Sequence, residues 1–211
     1  MEILFIVAVI FFIIGFFLGK ARTKYEENLG EQGVNHLLDK YFSNETCHLL
    51  KNVTLPIAGG TTQIDHVLVS TKGIFVIETK DYSGWIFGNP KWPTWTQTTR
   101  WGKYKFQNPI HQNYKHIKEL ERYFDFLPSK SFKSIVVFVG DGKFKTAMPE
   151  NVLHLDNLVR YIERFDDELI SLNRVFFVVG KFEFFRKEIS VKTDEKHIEN
   201  LRKKFGSKTT T

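Results

Sequence analysis

The stretch Gln63–Lys80, QIDHVLVSTKGIFVIETK, constrains this chain more than any other: two apolar, β-branched runs joined by a turn, with Asp65, Glu78 and Lys80 at the open end. Such runs around a glycine-bearing reversal read as an antiparallel hairpin. A two-residue turn at Lys72–Gly73 sets Asp65 opposite Lys80 and Val67 opposite Glu78. Side chains alternate faces along a strand, so Asp65, Glu78 and Lys80 then share one end of one face. Val67 to Ile77 is almost wholly apolar, the pattern of strands covered on both sides, and three charges therefore abut a buried element. Two readings stand side by side: polar residues marking where sheet meets water, or two carboxylates sharing a divalent cation whose water the lysine can reach. As strand-end groups outside the packed interior, all three are expected to be replaceable with little harm to the fold.

The flanking segments supply helices and further strands. Val34, Leu37, Leu38 and Tyr41 have amphipathic helical spacing, and Glu31 lies one step back in line with that stripe. There it either favours the helix dipole or projects toward the sheet. Asn108-Pro109 is a strong helix start, followed by an expected buried stripe of Ile110, Tyr114, Ile117, Leu120 and Phe124. Gln112, on the shoulder of that stripe, could orient a phosphate or a water, or be a surface amide. Ser134–Gly140 and Val152–Leu155 read as strands, and Asp156–Phe165 as a helix capped by Asp156 or Asn157. Arg174–Phe185 is strand or helix, and Asp194–Phe205 a polar terminal helix. This order predicts an α/β fold with a mixed central sheet flanked by helices.

Between Asp81 and Gln107 lie Trp85, Trp92, Trp95 and Trp101, interleaved with Lys91, Arg100, Lys103 and Lys105. Exposed aromatics among basic residues can stack bases and bind phosphates; alternatively the tryptophans close the core of a small sheet. A net charge of +6 and a pI near 9.2 suit an anionic partner, nucleic acid or lipid surface. The single Cys47 excludes an intramolecular disulfide and a cysteine-based zinc site. No Gly-rich phosphate loop, nucleophile elbow or His pair at metal spacing is present.

At the start, Ile3 to Gly19 is a run of seventeen residues with no charge or hydrogen-bonding side chain. As a helix it extends about 25 Å, near the short limit for a bilayer span. Glu2 replaces the basic residue of a signal peptide and no small-residue cleavage site follows, so the run reads as an uncleaved single-pass anchor. Lys20, Arg22 and Lys24 come directly after it and place the rest of the chain in the cytoplasm, on the inner side of the cell membrane. The expected organisation is an anchor over 1–20, a basic linker over 21–27, a main domain over 28–142 and an α/β extension of open role over 143–211.

Three blocks, GEQGVNHLL, QIDHVLVSTKGIFVIETKDYSGWIFG and FQNPIHQN, resemble in order the nuclease-related domain (NERD), a branch of the PD-(D/E)xK restriction-endonuclease-like superfamily. The resemblance covers roughly residues 28 to 140. It implies a restriction-endonuclease-like sheet, with Asp65 and Glu78 as metal ligands, Lys80 as the lysine of the Glu-x-Lys motif, Glu31 as the first-helix acid and Gln112 as the polar helix residue. Related nucleases with a Gln-x-x-x-Tyr motif carry Tyr four residues after the Gln, where this chain has His116. The implied activity is phosphodiester hydrolysis with Mg²⁺, or Mn²⁺, on nucleic acid, DNA in preference to RNA. A membrane-tethered nucleic-acid-binding module without turnover and a membrane-bound protein scaffold are the alternatives from other classes.

Overall fold

The computed structural model describes residues 29–187. Among them no helix is long and apolar enough to cross a membrane. The apolar run Ile3–Gly19 and the expected helix Asp194–Phe205 lie outside the described residues.

A five-stranded mixed sheet forms the centre. Helix α1 (Leu29–Phe42) leads into β1 (Cys47–Ile57), β2 (Gly60–Ser70) and β3 (Gly73–Lys80), an antiparallel meander. Strand β7 (Phe132–Phe138) then pairs parallel to β3, and β9 (Val152–His154) parallel to β7, giving the order β1-β2-β3-β7-β9. Strand β3 sits in the middle because Ile74, Phe75, Val76 and Ile77 are all fully buried, and only a central, doubly covered strand buries consecutive side chains.

One face packs Val67, Val69, Ile74 and Val76 against Leu120 of α2 (Pro109–Tyr123) and Val175, Val178 and Phe182 of α4 (Leu172–Phe185). The other packs Leu68, Phe75, Ile77, Ile135 and Val137 against Val34 and Leu38 of α1 and Leu158 and Ile162 of α3 (Leu158–Glu163). A second sheet, ordered β6-β5-β4-β8, comprises β4 (Trp85–Phe87), β5 (Thr94–Thr99), β6 (Gly102–Gln107) and β8 (Lys143–Phe144). Ile86 and Trp95 fix it to Val136 and Phe138 of the main sheet. Residues 143–187 thus complete both sheets and both helical layers.

Four expectations need correction. The hairpin reversal is made by Thr71 and Lys72, since Ser70 pairs with Gly73. Gly73 is the first residue of β3, with φ +134, and a Cβ there would stand 2.6 Å from the Ser131 carbonyl oxygen. The stripe on α2 fails at Tyr114, which is exposed, while Pro109, Asn113, His116 and Leu120 are buried. The Asn113 amide is drawn inward because its Nδ2 reaches Val76 O at 2.8 Å and Ile135 O at 3.0 Å, strapping β3 to β7. At α3 neither Asp156 nor Asn157 caps the helix through its side chain; Asn157 donates to Asp156 Oδ1 at 2.7 Å instead. Finally, Glu78 is 1% exposed, so its replacement does touch the packed interior.

Candidate functional site

Moving a two-residue turn by one position shifts the register by two, and a shift of two leaves each side chain on its original face. The paired ladder ends at His66 and Ile77, so Asp65 follows at the strand end beside Glu78 and Thr79, where the sequence placed it opposite Lys80. The three charged groups still gather at one strand end.

The alternation of β2 breaks at this point. Ile64 and Val67, three apart, belong to one apolar cluster, as do their partners Val53 and Leu50, and Asn52 between these has φ 50. This local irregularity frees Asp65 from the ladder, and its Oδ2 accepts the Thr79 N–H at 2.8 Å.

Glu78 points to the α2 side with Val76 and is hydrogen-bonded at one oxygen, while the other is buried without a hydrogen-bond partner. Lys80 Nζ donates to Oε1 at 2.5 Å, and His116 Nε2 lies 3.4 Å from Oε2. His116 is in turn fixed by Thr62, whose Oγ1 is 2.8 Å from Nδ1. Lys80 also donates to Gln112 Oε1 at 3.2 Å. Helix α2 can bring Gln112 and His116 here because they are four apart and so share a face, and the helix is started by Asn108, whose side chain accepts from Ile110 N at 2.9 Å. Glu31, in the first turn of α1 across the sheet, adds its charge to the surroundings of Asp65.

The electrostatics separate the two carboxyls. Burial, then the neighbouring Glu78 charge, holds Asp65 well above the usual carboxylate range. Burial pushes Glu78 the same way, but the neighbouring His116 and the Lys80 charge outweigh it and keep Glu78 below its ordinary value. Burial disfavours the Lys80 ammonium, yet Glu78 and Asp65 hold it above its ordinary value, so it stays protonated. On the α1 side burial lowers His66 to about 4, a neutral imidazole with Nδ1 3.3 Å from Thr79 Oγ1.

Among the described residues no group of three His, Cys, Asp or Glu side chains is arranged to hold a metal. Mg²⁺ does not need three: it keeps several waters and takes one or two carboxylates plus substrate oxygens. The residues fit that role, since an ionised Glu78 stands beside an Asp65 whose ionisation is opposed by its neighbour and would be relieved by a cation. His116, Thr62 and Asn113 were not singled out as site-building residues from sequence. His116 carried one signal, its place four residues after Gln112.

A mixed α/β sheet whose central strand ends in a carboxylate–lysine cluster, flanked by polar residues of one helix, is the class that fold and site define. Residues 26–139 match the model for the nuclease-related domain, more than half of the chain, and the chain belongs to that family. An uncharacterized protein of Bacillus anthracis is 46% identical over 99 residues, a stretch covering 46% of each chain, so the match spans about half of that relative. No solved structure matches.

Proposed function

We propose that this protein is a Mg²⁺-dependent nuclease, with Mn²⁺ as a substitute, that hydrolyses phosphodiester bonds of nucleic acid, DNA in preference to RNA. The observation that carries the reading is the convergence of Asp65, Glu78 and Lys80 at the end of β3, with Lys80 also held by Gln112. Asp65 and Glu78 would hold the ion, and Glu31 stands behind Asp65 as a further acid. When bound, Mg²⁺ supplies charge stabilisation and a more acidic water.

The chain's own groups supply the rest. Lys80 stays an ammonium and so acts as a donor, not a base; Glu78 and Gln112 take two of its three N–H groups, leaving one for a phosphate oxygen or the attacking water. Gln112 orients that ammonium. His116 lies against the second Glu78 oxygen. Residues 3–19 tether the domain to the cell membrane with the catalytic part on the cytoplasmic side, a reading supported by the basic residues that follow the apolar run.

The test is cleavage of labelled DNA by the full chain in detergent with Mg²⁺, Mn²⁺ or EDTA. Wild type should cut only with metal, and folded Asp65→Ala and Glu78→Ala variants should not. Folded variants that cut as fast as wild type would refute the site. A wild type that binds DNA but cuts with neither ion would leave a binding module without turnover. A reporter fused after Thr211 that is active only outside the cytoplasm would refute the orientation.

A further inference from the structure

The second sheet is a separate surface that this chemistry does not use. Its strands β4 to β6 are inserted between β3 and α2, the two elements that carry Lys80 and Gln112. From Tyr82 to Lys118 the chain contains no acidic residue.

The pairing register shows what the outer face carries. Trp85 lies opposite Thr98, which lies opposite Lys103, and on its other side Trp85 pairs with Lys143. The next row is Phe87, Thr96 and Lys105. Residues directly opposite share a face, so Trp85 stands on a threonine-rich floor among lysines. Ile86, next to it on β4, and Trp95 on β5 point the other way into the core. Trp85 is 51% exposed and Trp101, in the β5–β6 turn, 74% exposed. Each already has a cation over its ring: Lys145 Nζ at 4.8 Å from the Trp85 centroid and Arg100 Cζ at 4.5 Å from that of Trp101. A groove of about 670 Å³ between β6 and α2, lined in part by Lys105, His111, Tyr114 and Lys115, adjoins the helix turn that bears Gln112.

Large rings left in water on a flat sheet face, flanked by cations and with no carboxylate in either paired row, fit a polyanion that presents free π-faces. Duplex DNA hides its base faces, whereas a single strand offers both bases to stack and phosphates to pair. A lipid surface also takes Trp beside Lys, but it offers no planar face to stack on the rings. We propose that the outer face of the β4–β5–β6–β8 sheet binds single-stranded nucleic acid, stacking bases on Trp85 and Trp101 and pairing phosphates with Lys103, Lys105, Lys143 and Lys145. The strand then passes over the β6–α2 groove toward Lys80. The inference deepens the proposed function and rests on it for the cleavage step, not for the binding.

The experiment measures binding by the full chain in EDTA, so that nothing is cut, using oligothymidylate, oligouridylate and a duplex, each of about twenty nucleotides or base pairs. Fluorescence anisotropy reports affinity and intrinsic fluorescence reports the tryptophans. Expected are tighter binding of the single strands than of the duplex, quenching on binding, and a loss of about fivefold or more for Trp85→Ala and for Trp101→Ala. Lys103→Ala and Lys143→Ala should each lower the slope of log affinity against log salt by about 0.7. Both tryptophans are exposed, so their variants should melt like wild type, and this is checked first. Variants that bind as wild type, equal binding of duplex, or anionic phosphatidylglycerol vesicles that displace the oligonucleotide and quench the same tryptophans would each overturn the proposal. Single-strand binding lost with Trp85 and Trp101 in a protein that never cuts would uphold this surface and sink the nuclease. Cleavage with binding indifferent to both tryptophans would do the reverse.

Discussion

Asp65→Asn should stabilise the metal-free fold as pH rises while removing cleavage. Burial and then Glu78 raise the folded pKa of Asp65 well above its ordinary 3.8. A carboxyl shifted this way binds its proton more tightly in the folded state; its contribution to stability is complete below the unfolded value and is lost as pH climbs through the folded one. Asn carries no such charge at any pH and keeps an acceptor for the Thr79 N–H. The Glu78 part of the effect is sized from closeness: the Glu78 charge acts on Asp65, whose Oδ2 is bonded to the N–H of Thr79, the next residue along β3. Two unit charges about 5 Å apart at an effective dielectric of about 20 repel by roughly 3 kcal/mol; Lys80 reduces this repulsion, and burial of the charge adds to the effect. For a chain of this size about 3 kcal/mol corresponds to about 6–12 °C in Tm. Thermal unfolding followed by circular dichroism in EDTA, between about pH 4 and 9, should show the two proteins diverging upward with pH. Mg²⁺ should then raise the Tm of wild type and not of Asp65→Asn. A difference that does not grow with pH, or equal stabilisation of both proteins by Mg²⁺, would refute the reasoning.

Lys80→Ala leaves Glu78 buried beside His116 without its ammonium, which should cost about 3 kcal/mol at neutral pH by denaturant unfolding. The same variant should lower turnover by a factor on the order of 10² while metal affinity, read by calorimetry, stays equal or rises. Gly73→Ala combines a φ of +134 with a Cβ 2.6 Å from Ser131 O, and should lose at least about 2 kcal/mol of stability in urea titration. His66, lowered to about 4 by burial, is protonated first in the unfolded chain; stability should therefore fall as pH drops from 6.5 toward 4, by about 3 kcal/mol, and His66→Phe should flatten that limb.

The hairpin, the strand-end acids and the α/β order were legible because β-branched runs and a marked helix start are local signals. The register was not, since Thr71-Lys72 and Lys72-Gly73 are both acceptable reversals and only the Ser131 carbonyl, far along the chain, demands glycine at the strand's first residue. The error left Glu78 and Lys80 on one face because side-chain direction repeats every two residues, and Asp65 reaches them through its bond to the Thr79 N–H. Strand β1 was missed: Lys51, Asn52 and Pro56 interrupt its apolar pattern, and Pro56 is tolerated because β1 is an edge strand. The α2 stripe held at Ile110, Ile117, Leu120 and Phe124 and failed at Tyr114, because the buried residues at the site, Asn113 and His116, are polar and are held by partners on other strands. Helix α4 could not be told from a strand because it is apolar around much of its circumference, burying Val175, Val178 and Phe182 while Phe176, Phe177 and Phe184 stay exposed. The four tryptophans divide between the two readings, Trp95 in the core and Trp85, Trp92 and Trp101 outside it.

The insertion of the second sheet has a mechanical consequence. Only Asp81–Gly84 separate β3 from β4, and only Asn108 separates β6 from α2. The Asn108 amide is tied to Pro90 O and Trp92 O, and Gly142 N and Lys143 N are bonded to Tyr82 O and Gly84 O, so neither junction has slack. Part of any load applied to that sheet therefore reaches the end of β3 and the first turn of α2. Those are the seats of Lys80 and Gln112, and their separation of 3.2 Å is the quantity such a load would stretch or close.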